Sequence, residues 1–171
     1  MLCRSNAGAI DAVLRFQRAG RHPHLVGGGE EVVRFAKAVS ELQETGSTRH
    51  PELACFTSWA EVLAYVEQDP QGDELALMVK LIEEYGLQII LDALDGMIAE
   101  NAADVIVSTA HKAKGREWPR VRLAGDFAEP LDRGAGADGE LRLLYVSATR
   151  AREVLDLRMC EPLAERLRLA G

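Results

Sequence analysis

The sequence predicts an α/β fold in which helices flank a parallel β-sheet. Short runs of β-branched and aliphatic residues alternate along the chain with longer segments whose apolar residues recur at helical spacing. This alternation is typical of β-α-β units, in which each helix carries the chain back and successive strands run parallel. With 171 residues, 47% of them hydrophobic, the chain is long enough to enclose a sizeable core.

The first part of the chain predicts two strand–helix pairs. Met1 to Arg4 has the pattern of the end of a strand, and Asn6 is predicted to cap a helix that Gly20 ends. His24 to Val26 is a second short strand, followed by a glycine turn and a helix from about Glu30. No Lys-Ser or Lys-Thr pair follows these glycines, which excludes a Walker A loop and favours a tight structural turn.

A helical block interrupts this alternation. A polar loop over residues 43–57 is predicted to lead into it, and Ser58 and Glu61 have the spacing of a capping box. The block contains three predicted helices, at residues 58–68, 74–85 and about 87–100. Residues 61–104 hold 11 acidic residues and 1 lysine, so this segment accounts for the formal net charge of −7. The rest of the chain is close to neutral, so any part of it that is rich in cations can keep a positive local field.

The last third of the chain resumes the alternation. Its predicted elements are, in order, a strand at Val105–Val107, a strand that begins at Val121, a loop at Asp126–Gly139, a helix from Glu140 to about Arg150, a strand at Val154–Arg158 and a helix at Pro162–Leu169. In the helix that begins at Glu140, apolar residues follow one another at helical spacing from Leu141, which places Tyr145 in the core.

The connection between Val107 and Val121 is rich in cations. It contains one acidic residue, Glu117, against the basic residues His111, Lys112, Lys114, Arg116 and Arg120. A core has no use for so many positive charges, whereas a surface that binds phosphate does; a solvated loop that keeps the protein soluble is the alternative. Because binding residues collect at the carboxyl ends of parallel strands, Arg4 and the residues from Thr109 onward are expected at one edge of the sheet.

Four blocks of the sequence resemble, in the same order, motifs of superfamily 1 DNA helicases of the UvrD/Rep type. Leu2 to Ala7 is similar to motif IV, Val26 to Gly28 to the short segment that follows it, and Leu144 to Ala151 to motif VI. The block that resembles motif V has the order Thr-x-His-x-x-Lys-Gly-x-Glu and consists of Thr109, His111, Lys114, Gly115 and Glu117. The resemblance implies that residues 1–171 form a C-terminal RecA-like helicase domain fragment, with a small helical insertion at about residues 43–104.

The resemblance implies nucleotide-binding roles for residues of three blocks. Arg150 and Arg4 would reach the γ-phosphate of ATP across a cleft between two RecA-like domains, a task that suits the permanently charged guanidinium group. Gly115 would allow the backbone to approach the nucleotide closely, and Glu117 would contact the ribose. Cys3 stands where the family often has an aromatic residue that stacks on adenine, which implies weaker binding of the base.

The resemblance also implies that single-stranded or partly duplex DNA is the partner of the basic loop. Thr109 and His111 would contact the single strand, which such proteins hold by phosphate contacts and stacking. Lys112 and Lys114 would contact phosphates or couple ATP hydrolysis to movement. Trp118 has two interpretations, as a packing residue or as an exposed ring on which a base stacks.

The sequence contains neither a G-x-x-x-x-G-K-[ST] loop nor an acidic Walker B strand. The resemblance therefore implies an N-terminal RecA-like domain, outside this chain, that holds Mg²⁺ and supplies the phosphate-binding lysine. The fragment alone is expected to be inactive as an ATPase. The alternative is a non-catalytic RecA-like interaction module whose acidic helices, within residues 61–104, bind a basic protein partner.

The composition favours a cytoplasmic protein, associated with the nucleoid if it is bacterial. No apolar run approaches the roughly 18 residues of a membrane span, and no signal peptide pattern is present. The three cysteines are far apart and odd in number, which is typical of a reducing compartment and argues against a zinc site. No membrane partner is therefore expected.

Overall fold

The computed structural model describes residues 1–27, 29–68, 74–128 and 137–160. The chain divides into two compact units, the first made of residues 1–27 and 98–171 and the second of residues 28–97. The predicted terminal helix at Pro162–Leu169 lies outside the described residues, as does most of the predicted loop at Asp126–Gly139.

The strands that the structure describes are short and belong to the first unit. They are β1 (Leu2–Cys3), β2 (Pro23–Leu25), β3 (Val105–Thr109), β4 (Trp118–Arg122) and β5 (Ala151–Asp156). β3 lies between β1 and β2, β4 pairs with β5, and every one of these pairings is parallel. A parallel bridge between Leu2 and Leu123 joins the two groups, and the Ala124 amide donates to the Leu2 carbonyl (2.8 Å). The resulting order β2-β3-β1-β4-β5 confirms the predicted parallel α/β arrangement.

Burial explains why these segments form strands. Leu2, Cys3 and Val107 are almost completely shielded from solvent, which is typical of parallel strands covered on both faces. The core cluster at the centre of this unit consists of Leu2, Ala110, Ala113, Val121, Leu123, Phe127, Leu144 and Cys160. β1 therefore contributes few residues to the sheet but lies at its centre.

The helices that the structure describes agree in number and order with the prediction up to residue 160. They are α1 (Asn6–Arg18), α2 (Glu30–Thr45), α3 (Trp59–Gln68), α4 (Glu74–Tyr85), α5 (Leu87–Asp95) and α6 (Ala137–Ala148), with single 3-10 turns at Glu100–Ala102 and Gly125–Phe127. α5 ends before the predicted Glu100, and α6 begins before the predicted Glu140. Within the described residues, no helix combines the length and the apolar character needed to cross a bilayer.

The cap of α1 differs from the prediction by one residue. Ser5 is in an extended conformation, and its hydroxyl accepts a hydrogen bond from the Gly8 amide (2.9 Å), so Ser5 is the N-cap. Asn6 is the first helical residue, and the prediction that it caps α1 is wrong. The reason is that β1 already ends at Cys3, which leaves Ser5 in the extended backbone conformation that a cap requires.

The second unit is helical in the residues that the structure describes, α2 to α5. α2 is bounded by Gly29 and Gly46, which both adopt positive φ angles (71° and 73°) that favour glycine. Ser58 caps α3 by accepting a hydrogen bond from the Glu61 amide (3.3 Å), as the spacing of the two residues predicts. The bounds of α3 and α4 agree with the prediction.

β4 begins earlier than the sequence pattern indicates. The Trp118 amide donates to the Arg150 carbonyl (3.0 Å), so pairing with β5 starts there and not at Val121. An irregularity in the pairing between Trp118 and Arg120 accommodates Pro119, which has no amide to donate. β5 is displaced in the same direction, because it begins at Ala151 and not at the predicted Val154.

Candidate functional site

Three chain segments leave the sheet at the same edge. In the register of β1 and β3, Cys3 lies beside Thr109, and the Val26 amide donates to the Val107 carbonyl (2.9 Å) just after β2. Because all three strands are parallel, Arg4, the turn after Val26 and the basic loop after Thr109 lie at their carboxyl ends. The structure thus brings together segments that are separated by up to about a hundred residues in the sequence.

The basic loop begins as a compact turn on β3. The Ala113 amide donates to the Thr109 carbonyl (3.0 Å), and the Lys112 amide donates to the Thr109 hydroxyl (3.4 Å). His111 and Lys114 are exposed on this turn, whereas Thr109 is buried. Gly115 follows with a φ of 78°, in the left-handed region that favours glycine, and turns the chain toward β4.

Lys112 packs on the bare backbone of Gly27. A Cβ atom at Gly27 would lie 3.0 Å from Cδ and 3.4 Å from Nζ of Lys112, so glycine is what allows this close approach. Gly27 also has a φ of 82°, which disfavours any larger residue there. The contact holds the Lys112 ammonium beside the turn that follows β2, and it links two of the blocks identified in the sequence.

Arg116 and Trp118 have structural partners. The Arg116 guanidinium forms an ion pair with Glu100 (2.9 Å) and lies 6.0 Å from the centre of the Trp118 ring. Trp118 is partly buried and packs against the core cluster of the first unit. Of its two interpretations, the structure therefore favours the packing residue over the exposed stacking ring.

Arg4 is held by two carboxylates that the sequence analysis did not single out. Its Nε and Nη2 atoms donate to the two oxygens of Glu140 (2.8 and 2.7 Å), and its amide donates to Oδ2 of Asp126 (2.9 Å). The bidentate contact with Arg4, and next to it the nearby charge of His111, lowers the pKa of Glu140. Asp126 lies four residues after Arg122, the last residue of β4, a position that the strand-end rule could have identified.

Asp126 is a partly buried carboxylate that lies beside the start of α1. Its Oδ2 atom accepts hydrogen bonds from the amides of Arg4 and Ser5 and from the Ser5 hydroxyl (2.9, 3.1 and 3.2 Å). Its Oδ1 atom is buried without a hydrogen-bond partner among the described residues. Burial raises the pKa of Asp126, and the hydrogen bonds from Arg4 and Ser5 offset part of that effect. Asp126 therefore fixes the main chain from which the Arg4 side chain projects.

Gly8 leaves room for this carboxylate, which makes it a sensitive position. A Cβ atom at Gly8 would lie 2.2 Å from Oδ2 of Asp126, so Gly8→Ala must displace the carboxylate and break its hydrogen bonds. We expect a loss of roughly 2–4 kcal/mol in the free energy of unfolding, from overpacking and unpaired polar groups. Urea unfolding would measure it, with Gly139→Ala as the control, because a Cβ atom there meets nothing within 4 Å. Equal losses in the two variants would contradict this account.

Arg150 lies just after α6, beside the end of the basic loop. Its Nε atom donates to the Val146 carbonyl (2.9 Å), its Nη1 atom to the Arg116 carbonyl (3.4 Å) and its Nη2 atom to the Thr149 hydroxyl (3.0 Å). In the described part of the chain no carboxylate pairs with it. The partly exposed guanidinium therefore keeps a positive charge that neutral groups orient but do not compensate.

The structure thus groups the predicted site residues into two clusters. Arg4, Thr109, His111 and Lys112 lie at the carboxyl edge of the sheet. Gly115 and Glu117, both exposed, flank Arg116, whose carbonyl accepts the bond from Arg150. Arg4 and Arg150 contact different parts of α6, namely Glu140 near its start and Val146 near its end.

The exposure of two side chains bears on what the sequence predicts for them. The thiol of Cys3 is fully buried and burial raises its pKa, a placement that argues against a direct contact between this side chain and a base. Tyr145 is 71% exposed, so the prediction that it belongs to the core is wrong. α6 buries Leu144 and Ser147 instead, and this inward stripe turns Tyr145 toward solvent.

Comparisons with known proteins give a consistent result. Residues 26–162 match the model of the UvrD-like helicase C-terminal domain. The chain is 31% identical, over 144 residues that cover 75% of it, to the F-box DNA helicase protein 1 of Schizosaccharomyces pombe. It is 31% identical over 114 residues (57% of the chain) to the F-box DNA helicase 1 of Gallus gallus, and 34% identical over 108 residues (58%) to the ATP-dependent DNA helicase srs2 of Schizosaccharomyces pombe. The matches cover 16%, 11% and 12% of these three relatives, respectively.

Proposed function

The chain belongs to the UvrD-like helicase C-terminal domain family, and from this we propose that it is the second RecA-like motor domain of an ATP-dependent DNA helicase. The observation that carries the proposal is that one loop touches every other block. Its first residues pair beside Arg4, its Lys112 lies on Gly27, and the Arg116 carbonyl accepts from Arg150. A loop in this position can transmit changes at a nucleotide to a bound DNA strand.

We place the nucleotide at the cluster of Arg150, Gly115 and Glu117. The Arg150 guanidinium, which no described carboxylate neutralises, fits a phosphate, and the exposed Gly115 backbone carries no side chain to block a ligand. Glu117 is exposed and would bind the ribose hydroxyls. ATP, with Mg²⁺ held by an N-terminal RecA-like domain, supplies the phosphoryl group whose transfer to water drives movement.

The two arginines have an electrostatic role in the proposed nucleotide site. Arg150 and Arg4 would stabilise the negative charge that develops on the phosphate oxygens in the transition state, which a guanidinium does by spreading several N–H donors over them. Because the thiol of Cys3 is buried, it offers no surface to a base, which supports a site with little affinity for adenine. We therefore expect recognition to depend on phosphates and ribose more than on adenine.

We place single-stranded DNA, or the single-stranded part of a partly duplex substrate, along the carboxyl edge of the sheet. Lys112 and Lys114 would neutralise phosphates, while Thr109 and His111 would contact the strand directly. The net charge of the chain is negative, which disfavours DNA binding. The acidic residues concentrate between residues 61 and 104, however, so the local field at the basic loop can still be positive.

The remaining parts of the proposal concern the whole protein. The chain would form one motor domain in which the helices between about residues 43 and 104 are an insertion. Its direct partner would be the N-terminal domain that carries the Walker motifs. We propose that the protein works in the cytoplasm, at the nucleoid if the organism is bacterial.

The salt dependence of DNA binding tests the DNA contacts. In the intact helicase, Lys112→Ala or Lys114→Ala is expected to weaken binding with little regard to sequence. Each lost phosphate contact should flatten the slope of log K against log salt by about 0.7, the value for single strands. Binding isotherms at several salt concentrations would be compared with those of the parent and of Lys80→Ala, an exposed lysine of α4.

Parallel slopes for all four proteins would show that the loop does not contact DNA, and would favour the interaction-module alternative. His111→Ala is expected to leave the slope unchanged, because histidine, unlike lysine, is not a permanent cation. Its expected effect is a lower distance travelled, or fewer base pairs opened, per ATP hydrolysed.

A further inference from the structure

We infer that Glu140 is a positioning residue for Arg4, and that α6 thereby sets the positions of both arginines of the nucleotide site, an inference that rests on the proposed function. Glu140 lies in the first turns of α6 and Arg150 just after its last turn. One residue of α6 thus holds each side chain, Glu140 for Arg4 and Val146 for Arg150.

The contact between Glu140 and Arg4 fixes an orientation. Two parallel hydrogen bonds of 2.8 and 2.7 Å join the carboxylate to Nε and Nη2, which prevents rotation of the planar guanidinium about its long axis. A guanidinium carries five N–H donors and this carboxylate takes two, so the pairing does not by itself exclude a phosphate. Asp126 holds the Arg4 amide at the same time, so this arginine is held at its main chain and at its side chain.

α6 is anchored well enough to serve as a common support. Leu144 and Ser147 are buried at 5% and 0% exposure, and Leu144 belongs to the core cluster of the first unit. The Ser147 hydroxyl donates to the Leu143 carbonyl (2.8 Å), and the Arg150 Nε donates to the Val146 carbonyl (2.9 Å). A displacement of α6 would therefore disturb both guanidinium groups, one through Glu140 and the other through the Val146 carbonyl.

An alternative is that the ion pair only adds stability. Exposed ion pairs contribute little to stability, and such a pair would not affect catalysis. The Arg4–Glu140 pair differs in that its side chains are only 26% and 21% exposed and its geometry is bidentate. It also joins the residue that follows β1 to α6, and the two partners are 136 residues apart in sequence, so this is a tertiary contact and not a local one.

The test uses the intact helicase and Glu140→Gln. The amide presents an N–H group to the guanidinium where the carboxylate had an acceptor, so the fork breaks while the size of the side chain is kept. We expect kcat for DNA-stimulated ATP hydrolysis to fall about 10-fold, as small misplacements of catalytic groups do, with KM for ATP within about twofold. Glu153→Gln, the same chemical change at an exposed residue of β5, is the control and should leave both constants unchanged.

A double-mutant cycle separates positioning from stability. In an Arg4→Ala background, Glu140→Gln is expected to cause no further loss of kcat, because there is no guanidinium left to position. The same loss in both backgrounds, which a general destabilisation would produce, overturns the inference. An intact protein without DNA-stimulated ATPase, or an Arg4→Ala variant with parental kcat, would instead overturn the role proposed for Arg4 itself.

Discussion

Arg150→Ala is expected to lower kcat for ATP hydrolysis by the intact helicase by roughly 10³- to 10⁵-fold, the range known for arginines that act on a transferring phosphoryl group. The KM for ATP should change far less, because such an arginine acts mainly in the transition state. The structure supports this expectation through the partners of Arg150, which are two carbonyls and a hydroxyl. Removing the side chain leaves no described carboxylate without its cation, so a large secondary effect on folding is not expected.

Steady-state ATPase assays with saturating single-stranded DNA would measure this effect. Arg152→Ala is a matched control, because Arg152 is an exposed arginine two residues further along, on β5. Arg150→Lys is expected to restore little activity, since an ammonium keeps the charge but loses the planar fork of donors. If Arg150→Ala retained the parental kcat, the bonds to Val146 and Arg116 would define Arg150 as a structural residue.

The purified 171-residue chain is expected to show no ATP hydrolysis, with or without DNA. The sequence has no Walker A lysine and no Walker B acid, so nothing in it can hold the β- and γ-phosphates and Mg²⁺ for attack by water. In the proposed function, the arginines of this chain would stabilise a transition state that the other domain must first assemble. Phosphate release would be measured for the chain and for the intact helicase under the same conditions. Release by the purified chain that Arg150→Ala abolishes would contradict the proposed division of labour.

Local sequence signals were sufficient for most of the fold. α4 was predicted at Glu74–Tyr85 with the observed bounds, because its apolar residues recur at helical spacing and Gly86 follows directly. α2 was predicted from Glu30 for the same reason, with a glycine turn before it. The shared edge of Arg4 and Thr109 followed from one rule about parallel strands.

What the sequence did not predict depends on contacts between distant segments. Glu140 and Asp126 are ordinary acidic residues until the fold places them on Arg4, 136 and 122 residues away. Ser5 and Asn6 are both good helix caps, and the end of β1 decides between them. Tyr145 fits the apolar periodicity of its helix, but the packing of α6 against the rest of the fold decides which face of the helix is buried.

The central place of β1 has a consequence for how the chain acquires its structure. Leu2 and Cys3 pair with Ser108 and Thr109, and Leu2 also bridges to Leu123. During synthesis, these two apolar residues emerge from the ribosome long before any partner strand exists, whereas the helices between residues 28 and 97 contact one another over shorter stretches of chain. Closing a loop of about a hundred residues is slow compared with forming a helix. The pairing of β1 with β3, which forms the edge that carries Arg4, can therefore begin only after more than a hundred residues have been translated.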